Sequence, residues 1–166
     1  MRLIKLTKGK ATIVDDEDFE WLSQWKWQAS KTRNGYYATR RDKGKHVRMH
    51  RVVLGIQEGM YGDHINRNGL DNRRKNLRVA TRTQNRRNSR GQRNAISGYK
   101  GVTYFKQGRT NKPWRVRCDI GGVTKFFGYF ATAHEAARIY NKIAKEAHGE
   151  FAYLNAVPDF TDKVHG

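Results

Sequence analysis

A long basic stretch in the middle of the chain constrains its folding more than any other feature. Between Asn72 and Cys118 there are fifteen Lys and Arg residues and no Asp or Glu. Like charges at this density repel one another and resist compaction, so the stretch needs a polyanionic partner. The whole chain has the same bias, with a net charge of +19 at pH 7. Nucleic acid, an acidic membrane face and an acidic protein are the candidate partners.

The remaining composition narrows the class of protein. A chain of 166 residues with 37% hydrophobic residues suits one domain or two small ones with thin cores. No apolar run approaches the ~18 residues of a membrane helix, and charges interrupt the apolar residues at the N-terminus, so no signal peptide is expected. The single Cys118 excludes an intramolecular disulfide. We therefore expect an intracellular protein whose partner is nucleic acid.

Short alternating runs and turn residues predict an α+β fold in several parts. Residues 1–49 read as a small β-rich region with one short helix, which packs on the segment that follows. Residues 50–90 carry the chemistry, and residues 91–97 form a basic linker without apolar periodicity. A three-stranded antiparallel sheet packed on one helix is predicted within 98–155. Residues 156–166 are a tail.

The C-terminal part has the clearest local signals. Alternation predicts strands over 98–105, 114–120 and 124–129. Thr132 with Glu135 three residues later is a capping box, and apolar residues follow at helical spacing until Gly149 ends the helix.

The chemistry is concentrated in an Asp63-His64 pair and in two asparagines, Asn76 and Asn85. The asparagines follow the histidine by twelve and twenty-one residues. The pattern predicts a strand ending near Asn66, a polar loop, a return strand from Asn76, and a helix opened by a capping box at Thr81. This order allows Asp63, His64 and Asn85 to converge on one point.

A string of motifs over residues 48–90 resembles HNH endonucleases of the homing type, found in phages and mobile elements, which have a ββα-metal active site. The motifs are Met49-His50-Arg51, Asp63-His64-Ile65-Asn66, Leu70-Asp71-Asn72, Asn76-Leu77-Arg78 and Gln84-Asn85-x-x-Asn88. The resemblance implies that Asp63 and Asn85 bind one divalent metal ion per active site. It also implies that His64 is the general base and that the Asn76 side chain holds the His64 ring in the productive tautomer.

The residue types fit this chemistry. One carboxylate and one amide oxygen suit Mg²⁺ or Mn²⁺ rather than zinc. A neutral imidazole can take a proton from an attacking water, a step typically worth about 10²–10⁴-fold. For His50, next to Arg51, we expect a structural role or a phosphate contact.

Residues 98–155 resemble a second family, the Apetala/ethylene-response-factor DNA-binding domain. The residues that carry this resemblance include Gly98-Tyr99-Lys100-Gly101-Val102, Trp114-Arg115-Val116-Arg117, Phe127-Gly128-Tyr129-Phe130 and His148-Gly149-Glu150-Phe151-Ala152. The resemblance implies a sheet that lies in the DNA major groove. Several arginines and a tryptophan of the plant pattern are absent here, so plant-type sequence specificity does not carry over.

Twelve basic residues are the predicted DNA contacts. On the sheet these are Lys100, Arg115, Arg117 and Lys125. The two arginines carry guanidinium groups, which are the best donors to guanine O6 and N7. Before the sheet they are Arg73, Arg74, Arg78, Arg82, Arg86, Arg87, Arg90 and Arg93, which we expect to lie along phosphates.

The sequence therefore predicts a metal-dependent endonuclease that cuts double-stranded DNA, positioned by its C-terminal sheet. With one metal centre, a monomer would nick, and a double-strand break would need a weak dimer or two visits. We expect it in the cytoplasm of a bacterial host, bound to DNA, with no membrane and no small-molecule substrate. Two alternatives remain: a DNA-binding regulator that uses the same modules without catalysis, and a structural RNA-binding protein.

Overall fold

The computed structural model of the chain describes residues 1–33, 35–91, 95–105 and 111–158. The predicted DNA contact Arg93 and residues 159–166 of the predicted tail lie outside these ranges. The fold is mixed α+β and forms two compact units, Met1–Arg86 and Arg87–Gly166. No described helix is long and apolar enough to cross a membrane.

The first unit contains three small antiparallel sheets. Its strands are β1 (Arg2–Lys5), β2 (Ala11–Val14), β3 (Gln28–Thr32), β4 (Gly35–Asp42), β5 (Lys45–Arg48), β6 (Tyr61–His64) and β7 (Leu77–Ala80). Its helices are α1 (Asp16–Leu22), α2 (Met49–Val53) and α3 (Arg82–Asn88), the last of which ends beyond the boundary at Arg86. The sheets are β1-β2, β3-β4-β5 and β6-β7.

One apolar core joins these small elements. The buried side chains come from four of the strands, two of the helices and the residue before β3: Ile4, Val14, Leu22, Trp27, Ala38, Met49, Val53 and Leu77. The two-stranded sheets β1-β2 and β6-β7 need this shared core, since an isolated two-stranded hairpin is marginal in water. The shared core therefore holds the N-terminal strands against the β6-β7 hairpin.

Backbone hydrogen bonds tie strand β2 to the loop between β6 and β7. The amide of Ile13 donates to the carbonyl of Leu70 at 2.8 Å, and the amide of Asn72 donates to the carbonyl of Ile13 at 2.8 Å. Ile13 and Asp71 form an isolated parallel bridge. The N-terminal hairpin thus fixes the backbone of the loop that carries Asn72.

The second unit is one antiparallel sheet with a helix behind it. Its strands are β8 (Val102–Tyr104), β9 (Trp114–Ile120) and β10 (Val123–Phe130), in the order β10-β9-β8, and the helix is α4 (Ala133–His148). Helix α4 begins where the capping box predicts, with the Thr132 hydroxyl accepting from the Glu135 amide at 3.1 Å. Its alanines and Tyr140 pack against Val116 and Cys118 of β9.

Strand β8 is shorter than the predicted strand over 98–105. Gly98 and Gly101 have φ angles of +67° and +76°, which are outside the strand region. A Cβ on Gly101 would lie 2.1 Å from the Tyr140 ring, so the backbone at this position must approach α4 closely. The chain therefore turns here and becomes a strand only from Val102.

The register of the sheet decides which side chains share a face. Arg117 lies opposite Phe126, Arg115 lies opposite both Thr103 and Tyr129, and the ladder is irregular between Phe126 and Tyr129. Directly paired residues point to the same side of a sheet. We call the side opposite α4 the outer face, formed by Thr103, Arg115, Arg117, Phe126 and Tyr129.

Candidate active site

The central residues form a hairpin followed by a helix, which is a ββα arrangement. Asp63 and His64 are the last two residues of β6 and pair in register with Arg78 and Leu77 of β7. Helix α3 starts after Thr81 through a reciprocal cap. The Thr81 hydroxyl accepts from the Gln84 amide at 3.2 Å, and the Thr81 amide donates to the Gln84 side chain at 2.8 Å. The predicted metal ligand Asn85 is on α3 and half-buried.

The Asp63 carboxylate is buried and held by an arginine. Asp63 is 5% exposed, and its Oδ2 accepts from Arg78 Nε at 2.9 Å and lies 2.7 Å from Arg78 Nη2. The Arg78 side chain, predicted to lie along a phosphate, is only 10% exposed and is paired with this carboxylate. Arg78 sets the orientation of the carboxylate.

The His64 ring is buried, and its hydrogen-bond partner is not the predicted one. His64 is 4% exposed, and its Nε2 lies 3.1 Å from Oδ1 of Asn72. Burial lowers the pKa of His64, while the bond to Asn72 and the charge of Asp63 act in the opposite direction. A histidine with a lowered pKa is neutral at pH 7 and can accept a proton.

Asn76 was predicted to orient His64, and the structure corrects this role. The Asn76 Oδ1 accepts from the Asn66 amide at 3.0 Å. Its Nδ2 donates to Asn66 Oδ1 at 3.0 Å and to the Asp71 carbonyl at 2.8 Å. The amide is therefore occupied in closing the polar loop between β6 and β7. Asn76 shapes the loop that presents Asn72 and does not touch the ring itself.

His50 packs directly against the predicted base. It is 3% exposed, and the centroids of the His50 and His64 rings are 4.7 Å apart with nearly perpendicular planes. Burial, with the nearby positive groups, lowers the pKa of His50 to about 3. A Cβ on Gly62 would lie 2.4 Å from the His50 ring, which explains the glycine before Asp63. Of the two expected roles, its burial and its packing against His64 favour the structural one.

Two more predicted DNA contacts, Arg73 and Arg74, are bound by carboxylates. Arg73 donates to the two oxygens of Asp71 at 2.7 Å each, which holds the pKa of that carboxyl below its usual range. Arg74 donates to both oxygens of Asp18, which is 1% exposed, at 2.7 and 2.9 Å. The acids that neutralise this part of the basic stretch come partly from helix α1. The charge count within the stretch did not include these acids, and DNA contact by Arg73 and Arg74 stays a prediction.

The remaining basic residues before the sheet differ in exposure. Arg82, Arg86 and Arg90 are exposed, whereas Arg87 is half-buried. The exposed three stay predicted phosphate contacts.

Two lysines predicted as DNA contacts on the sheet have other surroundings in the structure. The Lys100 ammonium donates to the carbonyls of Arg87 and Ser89 at 2.6 and 2.7 Å, so it holds its own unit together. Lys125 lies opposite Cys118, which is buried under α4, and is therefore on the other side of the strand from Arg117. This strand register could have been predicted from the sequence, because a two-residue turn at Gly121-Gly122 pairs residue 118 with residue 125.

The outer face itself combines guanidinium groups with aromatic rings. Arg117 is exposed, and the Arg115 guanidinium lies 4.4 Å from the centroid of the Phe105 ring. Phe126 is 53% exposed and its ring centroid is 5.0 Å from that of Tyr129. The sequence predicted that the two arginines contact DNA from the sheet, but the aromatic residues were not assigned to this face.

The predicted metal ligands carry oxygen donors. No cluster of three or more His, Cys, Asp or Glu side chains suited to a metal occurs among the described residues. The predicted pair of ligands, Asp63 and Asn85, contains one carboxylate and one amide. Such a set suits a hard cation that keeps most of its coordination sites for water and substrate phosphate.

Comparisons with known proteins identify the family. A family model for HNH endonuclease matches residues 43–87. An uncharacterised HNH endonuclease of Acanthamoeba polyphaga mimivirus is 31% identical over 160 residues, covering 92% of this chain and 79% of that protein. Protein 3.8 of Escherichia phage T7 is 30% identical over 109 residues, covering 65% of this chain and 87% of that protein. No solved structure matches the chain. The chain therefore belongs to the HNH endonuclease family and is a nuclease.

Proposed function

We propose that this nuclease hydrolyses phosphodiester bonds of double-stranded DNA in a metal-dependent reaction. Family membership implies DNA as the substrate. The observation that carries the proposal is the end of β6, where a buried carboxylate oriented by Arg78 stands next to a buried, hydrogen-bonded imidazole. A regulator or a structural RNA-binding protein would have no need for this pair.

Asp63 and Asn85 would hold the metal ion, the first through its carboxylate and the second through its amide oxygen. The donor set fits Mg²⁺ or Mn²⁺, since these ions prefer oxygen ligands. When bound, the ion would stabilise the negative charge that develops on the phosphate oxygens and on the leaving alkoxide.

His64 would act as the general base. The Asn72 oxygen accepts a hydrogen bond from His64 Nε2, so a neutral ring carries its proton on Nε2 and its lone pair on Nδ1. Nδ1 is then the atom that takes the proton from an attacking water. Burial, which lowers the pKa of His64, favours this neutral form at pH 7.

The outer face of the second unit would position the enzyme on the duplex, as its resemblance to the Apetala/ethylene-response-factor domain implies. Arg115 and Arg117 point away from α4, and guanidinium groups read guanine edges and phosphates well. The exposed rings of Phe126 and Tyr129 add apolar surface of the kind that contacts thymine methyl groups. Arg82, Arg86 and Arg90 would contact phosphates.

Cleavage of supercoiled plasmid DNA by the full chain tests the proposal. We expect nicking with Mg²⁺ or Mn²⁺ and none after chelation. His64→Ala should slow cleavage by about 10²–10⁴-fold, because a general base contributes about that much. DNA affinity should stay nearly unchanged, since the base acts in the transition state.

His46→Ala is the matched control, because His46 is an exposed histidine on β5. It should cleave at the wild-type rate. Undiminished cleavage by the His64 variant would refute the assignment of the base. Activity restored by zinc alone would refute the choice of metal.

A further inference from the structure

A line of buried hydrogen bonds connects strand β2 to the predicted base. The Thr12 hydroxyl is 2.8 Å from the Leu70 carbonyl oxygen, and Asn72 Nδ2 is 2.7 Å from Thr12 Oγ1. Asn72 Oδ1 is in turn 3.1 Å from His64 Nε2. Thr12 and Asn72 are both 0% exposed, so bulk water does not compete for these bonds.

The Leu70 carbonyl, at the end of the line remote from His64, sets the donor and the acceptor of each hydrogen bond. A carbonyl oxygen can only accept, so the Thr12 hydroxyl uses its hydrogen on Leu70. The alternative acceptor, Met49 sulfur at 4.0 Å, is distant and weak. Thr12 Oγ1 must then accept from Asn72, which identifies the amino end of that amide. The oxygen end faces His64, and the ring must donate to it from Nε2.

We propose that Thr12 and Asn72 are positioning residues that fix the tautomer of His64, with the proton on Nε2 and the lone pair on Nδ1. The proposal rests on the proposed function only in taking His64 as the base. An amide can present either end to a histidine ring, and a half-turn of Asn72 would place the proton on Nδ1. Thr12 disfavours that half-turn, because its hydroxyl would have to move its hydrogen from the Leu70 carbonyl to Asn72 Oδ1 and one buried hydrogen bond would be lost.

The backbone strengthens this control. The amide of Asn72 donates to the carbonyl of Ile13, so the loop cannot slide along β2. The N-terminal hairpin is therefore part of the machinery that makes the base competent, although it carries no group that touches the reacting atoms.

The tautomer can be measured without any substrate or metal. In ¹⁵N-labelled full-length protein, protonated and bare ring nitrogens have well-separated chemical shifts. At a pH above the ordinary pKa of histidine, wild-type His64 should show a protonated Nε2 and a bare Nδ1. A wild-type ring protonated on Nδ1 would overturn the proposal, whatever the variants do.

Thr12→Val removes the hydroxyl and keeps the side-chain shape. The amino end of Asn72 then loses its acceptor, and a buried donor without a partner is costly, so the amide should turn. We expect mixed tautomers and a fall in kcat of about 10- to 100-fold, within the contribution of a general base. KM should not change. Thr12→Ser retains the hydroxyl and should restore both the spectrum and the rate.

Thr39→Val is the matched control, because Thr39 is also buried in the first unit and its hydroxyl bonds to Ser30 at 2.6 Å. It should lose stability without changing the His64 spectrum or kcat. Wild-type tautomer and rate in Thr12→Val would refute the inference and leave the proposed function intact. A tautomer change in a protein that never cleaves DNA would refute the function and support the positioning role.

Discussion

The two units use arginine in opposite ways. In the first, Arg78 is nearly buried against Asp63, and Arg74 binds the fully buried Asp18. In the second, Arg115 and Arg117 lie on the outer face, where the Arg115 guanidinium contacts the Thr103 hydroxyl and the Phe105 ring. All four residues belong to the same acid-free stretch of sequence.

The difference shows that local charge density does not decide what a basic residue does. Carboxylates far away in the sequence reach the first group of arginines, because the fold brings α1 and β6 beside them. On the outer face of the second unit, the Asp119 carboxylate accepts from the Gly122 amide in the turn after β9, and among the described residues neither Arg115 nor Arg117 forms an ion pair. The first group thus stabilises the nuclease fold, and the second remains available to a polyanion.

The largest expected effect is the loss of Arg78. Arg78→Leu leaves the Asp63 carboxylate buried without its cation, and breaking such a pair typically costs about 3–5 kcal/mol. Chemical denaturation followed by tryptophan fluorescence would measure the change in the free energy of unfolding. Arg117→Leu, the matched control on an exposed side chain, should stay within about 0.5 kcal/mol. Equal losses in the two variants would remove the distinction between the two groups of arginines.

The next effect concerns DNA affinity and separates the two faces of the sheet. Arg117→Ala should cost about 1–3 kcal/mol at the preferred site if the guanidinium reads a base, and clearly less on random DNA. Lys125→Ala removes an exposed cation from the other side of the neighbouring strand and should cost less on either DNA. A larger loss of DNA affinity in Lys125→Ala than in Arg117→Ala would place the DNA-binding face on the α4 side of the sheet.

The smallest effect is a dependence of stability on pH that only the first unit should show. The folded-state pKa of His50 is about 3, below the ordinary value of 6.5. As pH falls from 6.5 towards 3, His50 becomes protonated in the unfolded chain but stays neutral in the folded unit. Stability present above pH 6.5 is therefore lost progressively, with a slope approaching about 1.4 kcal/mol per pH unit.

Denaturation of wild type and His50→Leu between pH 7 and 5 checks this slope, which should be smaller in the variant. No described histidine of the second unit is buried, so amide protection factors there, which are corrected for the intrinsic pH dependence of exchange, should stay unchanged over the same range. An identical slope in both proteins would contradict the assignment to His50.

Elements set by local patterns were predictable from the sequence. Strand β9 occupies the predicted residues 114–120, because alternation of apolar and basic residues is a property of the strand itself. Helix α4 is bounded by the predicted Thr132 cap and Gly149. Helix α2 was not predicted, since its five residues have neither a side-chain cap nor a helical repeat.

The partner of His64 could not be predicted in this way. Asn72 and Asn76 are both loop asparagines shortly after the histidine, and the choice between them depends on Thr12, sixty residues before Asn72. No local pattern reports such a contact. The same limit applied to Arg74, whose partner Asp18 lies 56 residues earlier.

The bond between Thr12 and Asn72 also has a consequence for the order of events at the ribosome. The hairpin is synthesised first, and at about 5–20 residues per second its partner asparagine follows some seconds later. A nascent chain therefore exposes the motifs of a nuclease before its base can adopt the competent form. Under the proposed positioning role, the His64 ring acquires its fixed tautomer only once the first unit has been completed and has left the exit tunnel.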